Sequence, residues 1–197
     1  ILPEKLNLTE ATQKKVMKAT GLSEYHRKRI LVFAGMDSDP LGASYNKIQS
    51  KISVGSGGFY GKGYLKGSQN LLGFLPKTVA PTDFIYSVIA EETGFVGSAA
   101  VVLLFGLLIG SVLHTALMAT DTFGRMFCVG TASLLFVHVF VNIAMTVGLL
   151  PITGIPLPLL SYGGSFMVVI MSAPVIVQGI RIRSRGGSED FEYIWKA

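Results

Sequence analysis

Three stretches without a single Lys, Arg, Asp or Glu dominate the chain: residues 98–119, 126–150 and 157–180. A helix crosses the hydrocarbon core of a bilayer with about 20 predominantly apolar residues, and each stretch reaches that length. Half of the residues are hydrophobic and 15% are charged, well under the roughly 25% charged residues of soluble domains. One globular core cannot absorb such runs. The chain reads as an all-α polytopic membrane protein, with three transmembrane helices preceded by a large extracytoplasmic loop of short helices and Gly-rich coil. Disorder, a disulfide-stapled secreted module and a collagen-like fibre are excluded by the same composition.

The division that follows is residues 1–97 as the outer loop, 98–183 as the three-helix membrane part and 184–197 as a cytoplasmic tail. Orientation comes from basic residues close to the span ends: Arg125 lies in the link expected over 120–125, and Arg181, Arg183 and Arg185 follow the last span. An odd number of spans puts both groups on one side, the cytoplasm. Residues 1–80 then lie outside, although they hold 12 of the 17 Lys and Arg against five acidic residues. Long loops escape the positive-inside rule, so this charge needs another purpose. Anionic headgroups or a phosphorylated lipid substrate suit it. Nucleic acid does not, because no nucleic-acid-binding motif accompanies the charge.

Finer features sit within this frame. Asn7 to Glu10 reads as a capping box opening a short charged helix that stops near Gly21. A helix is expected from Thr82, placing Asp83, Ser87 and Glu91 on one face. Gly163 and Gly164 break the third apolar run early and Pro174 breaks it late. Gly106 and Gly110 form a G-x-x-x-G that marks a helix packing face. His138 and Asn142, one turn apart, are costly against lipid and are expected to face the bundle interior as hydrogen-bonding groups. The polar tail beyond Arg185 is expected to be disordered. Cys128 is the single cysteine, so no internal disulfide forms, and His26, His114 and His138 lack zinc-ligand spacing.

Two places outside the spans have the makings of chemistry. Residues 55–67, GSGGFYGKGYLKG, hold six glycines with Lys62 and Lys66. Glycine lets backbone N–H groups approach a phosphate and lysine adds a point charge, although the run is not a Walker A loop, and a flexible surface loop is the plainer reading. Asp83 stands at the outer mouth of the bundle. A helix N-terminal charge held by the dipole and a general base at the bilayer surface both suit it. Of Glu91 and Glu92, only Glu91 shares the Asp83 face.

Taken in order, several segments match one pattern. Tyr25-His26-Arg27-Lys28-Arg29-Ile30 and Asp39-Pro40 come first, then the glycine run, Gly67-Ser68-Gln69 and Phe74-Leu75-Pro76. Thr82-Asp83-Phe84, Glu91-Glu92-x-Gly94, Asn142-Ile143-x-Met145, Gly148-Leu149-Leu150-Pro151 and Ser161-Tyr162-Gly163-Gly164-Ser165 follow. The chain resembles the SEDS family (shape, elongation, division, sporulation), which includes RodA, FtsW and SpoVE, from about residue 25 to 183. Ser87 to Glu92 resembles the elongation branch more than the division branch. The resemblance implies a peptidoglycan glycosyltransferase of the bacterial cytoplasmic membrane that polymerises lipid II, with a class B penicillin-binding protein as partner. It also implies that this chain, starting at Ile1, is the C-terminal half and inactive alone.

On that resemblance Asp83 matches the aspartate assigned as catalytic. The general base would deprotonate a sugar hydroxyl of an acceptor lipid II as it attacks the donor's anomeric carbon, expelling undecaprenyl pyrophosphate with inversion. Lys62, Lys66 and the N–H groups of Gly57, Gly58, Gly61 and Gly63 are expected at the pyrophosphate, with Gln69, Glu91 and Ser161 among the substrate-binding residues. A divalent cation, Mg or Mn, is expected to share the charge, and no organic cofactor is needed. Departures fall at residues 77–81, before Asp83, at Tyr86, and at Phe166, after the Ser-Tyr-Gly-Gly-Ser run. The alternative class is a transporter that flips lipid II, which would want polar groups distributed through the spans. A scaffold that only positions the penicillin-binding protein is a third reading.

Overall fold

The computed structural model describes residues 43–67 and 81–195. The capping-box helix after Asn7, the basic motif from Tyr25, Gln69 and residues 77–80 lie outside them. Four helices make up the described part: α1 (Ala43–Ser56), α2 (Ile85–Met118), α3 (Thr122–Val147) and α4 (Gly164–Trp195). Three helices, Ile85–Met118, Thr122–Val147 and Gly164–Ser184, are long and apolar enough to cross a membrane.

Local chemistry sets the helix ends. Asp121 caps α3, its carboxylate accepting from the N–H of Gly124 at 2.8 Å, so the helix takes in residues expected in the link and Arg125 falls in its first turn. At the other end Gly148 is left-handed, φ 86°, the backbone state in which glycine closes helices. The third apolar run becomes helical only from Gly164; residues 157–163 are a turn and coil. Pro174 lies inside α4 without ending it. The tail expected to be disordered continues α4 to Trp195, because extending an existing helix avoids the cost of a new nucleus.

α2 packs along α3 and α4 closes over both. One core layer joins Val112 and Ala116 of α2 to Cys128 and Ala132 of α3 and Val177 of α4. Nearer the other end Tyr86 and Phe105 pack with Val139 and Leu157. Among the described residues Gly106 and Gly110 take no part: both are exposed, and a side chain built at either would meet open space. The packing stripe of α2 runs through Phe105, Val112 and Ala116 instead. Exposed Leu103, Leu107, Leu117, Phe136 and Val168 leave these helices an apolar exterior.

α1 packs on α2 and lies across the Gly148 end of α3. Ser50, fully buried, donates its hydroxyl to the Thr146 carbonyl at 2.9 Å. The Lys51 stem packs on Gly148, where a β-carbon would strike it. Burial and the neighbouring Lys51 push the Lys47 ammonium below the usual lysine range. At the opposite end a β-carbon on Gly124 would touch Ile180, so Arg125 and Arg181 stand at one end of the bundle and α1 at the other.

Candidate active site

The chemistry-bearing residues gather on the first two turns of α2 and on two segments that dock there. α2 is 34 residues long and is interrupted at Gly94, which has φ 69° and ψ −162°. The part beyond it, residues 95–118, extends about 36 Å at 1.5 Å per residue, enough to cross the bilayer core. The part before it, carrying Glu91, stands outside that length.

The glycine-rich segment fills the interruption. An unbroken helix would bond the N–H of Phe95 to the carbonyl of Glu91 and that of Val96 to Glu92. Here Phe95 donates to Gly58 O at 2.9 Å and Val96 to Phe59 O at 3.2 Å. The orphaned carbonyls of Glu91 and Glu92 accept from the N–H groups of Lys62 and Gly63, both at 3.0 Å. Four groups that the break leaves unpaired on the helix, the N–H groups of Phe95 and Val96 and the carbonyls of Glu91 and Glu92, are thus taken up by the loop, as buried backbone polarity demands. Glycine is required by this contact: a β-carbon on Gly94 would collide with the Gly61 nitrogen, and one on Gly57 with the Ala90 carbonyl.

This arrangement corrects part of the expected pyrophosphate cradle. The N–H of Gly61 donates to Gly57 O at 2.9 Å, and those of Lys62 and Gly63 go to α2. The backbone donors of Gly61 and Gly63 therefore serve the fold, and Gly57 is buried against α2. Gly58 is exposed and left-handed, φ 59°.

Lys62 pairs with Glu91, Nζ to Oε1 at 2.7 Å, and also donates to Ser56 Oγ at 2.8 Å. Glu91 is fully buried, while the Lys62 side chain keeps 29% of its surface exposed. Gly67 closes over the carboxylate, its missing side chain leaving room where a β-carbon would sit 3.0 Å from Oε2. Expected as a substrate ligand, Glu91 instead holds Lys62 in place from below. Lys66 is exposed.

Asp83 lies in the turn over residues 81–84, ahead of α2 and off the helical face expected to carry it. The helix starts three residues later than Thr82, with the Ser87 hydroxyl turned back to the Phe84 carbonyl at 2.7 Å. Asp83 is half-buried, between buried Phe84 and half-buried Thr82. Ser161, expected to bind substrate, is 2% exposed; its hydroxyl accepts from Leu157 N at 2.7 Å and donates to Thr82 O at 2.6 Å. Asn142 projects from α3 and donates to Asp83 O at 3.0 Å and to Ile155 O at 2.7 Å. His138, one turn below, lies 3.4 Å through Nδ1 from Pro156 O. Both residues expected to face the bundle interior do so.

Sequence reasoning misses the break at Gly94. Its signal is a glycine within a helical run, beside a glycine-rich segment of matching backbone need. For the expected cation, no group of three or more His, Cys, Asp or Glu side chains able to hold a metal occurs among the described residues.

The chain is similar to known proteins. The family model of the FtsW, RodA and SpoVE cell cycle proteins matches residues 8–186. Peptidoglycan glycosyltransferase MrdB of Escherichia coli K12 is 50% identical over 159 residues, 81% of this chain and 42% of that protein. Peptidoglycan glycosyltransferase RodA of Treponema pallidum is 42% identical over 165 residues, 82% of this chain and 37% of that protein. A solved chain from a peptidoglycan synthase complex that coordinates polymerization and crosslinking superposes with a TM-score of 0.64 at 32% identity, covering 89% of this chain and 47% of that one. The chain spans under half the length of the curated relatives it matches.

Proposed function

The chain belongs to the FtsW, RodA and SpoVE family, and on that premise we propose that it carries the catalytic outer segment of a peptidoglycan glycosyltransferase that polymerises lipid II. The observation that carries this reading is Asp83, a half-buried carboxylate on a braced turn at the outer end of a membrane bundle. In the reaction Asp83 accepts the proton of an acceptor sugar hydroxyl as that oxygen bonds to the donor's anomeric carbon. The bond from that carbon to the pyrophosphate breaks, undecaprenyl pyrophosphate leaves with the electron pair, and a single displacement inverts the centre. A well-placed general base contributes about 10²–10⁴-fold.

Negative charge grows on the leaving pyrophosphate, and with the N–H groups of Lys62 and Gly63 committed to α2 and that of Gly61 to Gly57 O, the neutralising groups here are Lys62 and Lys66. The buried Glu91 carboxylate holds the Lys62 ammonium at 2.7 Å, and the lysine side chain is 29% exposed. The Arg125 and Arg181 end of the bundle faces the cytoplasm by the positive-inside rule, which sets the lysines and Asp83 at the outer surface. A class B penicillin-binding protein is the partner that would cross-link the strands.

The test uses the full-length protein, purified with its partner and supplied with lipid II, with polymer read on a gel. Wild type makes glycan strands and Asp83→Asn, at equal folding, makes them at least about 100-fold more slowly. Strands from Asp83→Asn at the wild-type rate would sink the assignment. Movement of lipid II across vesicles without polymer would move the chain to the transporter class.

A further inference from the structure

The turn that carries Asp83 is held by its carbonyl oxygens, one after another. Pro81 O accepts from the N–H of Tyr162 at 2.9 Å, Thr82 O from the Ser161 hydroxyl at 2.6 Å, and Asp83 O from the Asn142 amide at 3.0 Å. Phe84 O accepts from Ser87 and Val88 of α2. All four carbonyls of the turn are thus committed, three of them to segments distant in the chain.

Two of these bonds bear on Asp83 itself. Its Cα lies between the peptide plane containing Thr82 O and the plane containing Asp83 O. Planar peptides leave only φ and ψ free between them, so fixing both planes fixes the direction of the Cα–Cβ bond. One plane is fixed by Ser161 and the other by Asn142, and each donor is buried, at 2% and 0% exposure. Each is also braced: Ser161 by the N–H of Leu157 at 2.7 Å, Asn142 by its second bond to Ile155 O at 2.7 Å. The mutual bracing joins α3, the segment 155–161 and the turn into one unit.

We propose that Ser161 and Asn142 are positioning residues for the general base: by clamping the two peptide planes on either side of Asp83 they aim its carboxylate at the acceptor hydroxyl. This rests on the reading of Asp83 as the base. Neither side chain meets substrate. Their contribution is orientation, and a misplacement of about 1 Å costs on the order of 10²-fold in rate.

The experiment measures polymerisation by the full-length protein with its partner, separating kcat from KM for lipid II, with thermal unfolding recorded for each variant. Ser161→Ala and Asn142→Ala lower kcat about 10- to 100-fold and leave KM within about twofold, because the substrate contacts stay intact. Ser161→Thr, which keeps the hydroxyl, restores kcat. Added to Asp83→Asn, neither substitution lowers the residual rate further, since groups acting as one unit are not additive. The inference is overturned if both alanine variants keep kcat within about twofold per folded molecule. It is equally overturned if they depress the Asp83→Asn residual rate by their full factor, or if Ser161→Thr is as slow as Ser161→Ala. Failure of the underlying reading looks different: Asp83→Asn itself then turns over like wild type.

Discussion

The glycine-rich loop and the 81–84 turn meet the same N-terminal segment of α2, yet they commit opposite halves of the peptide group. The loop gives its N–H groups: those of Lys62 and Gly63 go to the carbonyls of Glu91 and Glu92. The turn gives its carbonyls, at Pro81, Thr82 and Asp83. Once the backbone is committed in both places, what each presents is a side chain. For the loop that is a lysine held by a buried glutamate, and for the turn a carboxylate. A glycine-rich run therefore need not be a phosphate cradle. Here its glycines allow close approach to a broken helix, and the positive charge is delivered by the side chain it supports.

The comparison breaks most sharply at Gly94. Gly94→Ala demands a positive φ from an L side chain and drives a β-carbon into the backbone of residues 59 and 61. Strain and overpacking together should cost about 4 kcal/mol or more, read as a large fall in the unfolding midpoint of the purified protein. Gly106→Ala on the same helix, facing open space, should cost nothing and gain up to about 1 kcal/mol of helix propensity. Equal effects at the two glycines would mean that the loop does not occupy the break.

Next in size is Lys62→Ala. Leaving the buried Glu91 carboxylate without its ammonium should destabilise by about 3 kcal/mol. Glu91→Gln added to it should recover most of that loss, because an uncharged amide tolerates burial better than an ion. Turnover separates the two roles of the lysine: if the double variant regains stability but not rate, Lys62 also meets the pyrophosphate. Full recovery of both would leave it a structural cation.

On the turn side, Ser161→Ala leaves Thr82 O and Leu157 N without their shared hydroxyl. The expected cost is about 1–2 kcal/mol, smaller than at the loop. Stability should thus fall first in loop variants and rate first in turn variants. A Ser161→Ala protein as unstable as Lys62→Ala would erase that contrast.

The same contrast separates what is legible in the sequence from what is not. The membrane helices are visible because a run of about 20 uncharged, apolar residues has little use outside a bilayer. Asn142 and His138 are placed inside the bundle by the cost of polar groups against lipid. Asp83 is legible as a carboxylate at the bundle mouth, but the element that carries it is not. Its four-residue spacing to Ser87 fits a helix, and only the long-range carbonyl clamps from Ser161 and Asn142 show that it precedes one. The use of the loop N–H groups is invisible for a similar reason: the partner carbonyls of Glu91 and Glu92 are freed only by a break in a distant part of the chain. A glycine's φ is not written in its spacing. Ser161 is marked as a ligand by its place in the Ser-Tyr-Gly-Gly-Ser run that carries the resemblance, and its burial is a property of the packed bundle.

The smallest effect belongs to Lys66. It is exposed, and its backbone N–H closes a local turn on Gly63 O at 3.1 Å whatever the side chain. Lys66→Ala should therefore leave stability within about 0.5 kcal/mol. Its rate effect is then a clean reading of side-chain charge near the leaving group, uncoupled from folding in a way that Lys62 is not. A rate loss of about 10-fold, short of the roughly 10²–10³-fold that a preorganised donor supplies, would extend the phosphate-facing charge beyond Lys62. An unchanged rate would confine that charge to the one lysine that the broken helix holds in place.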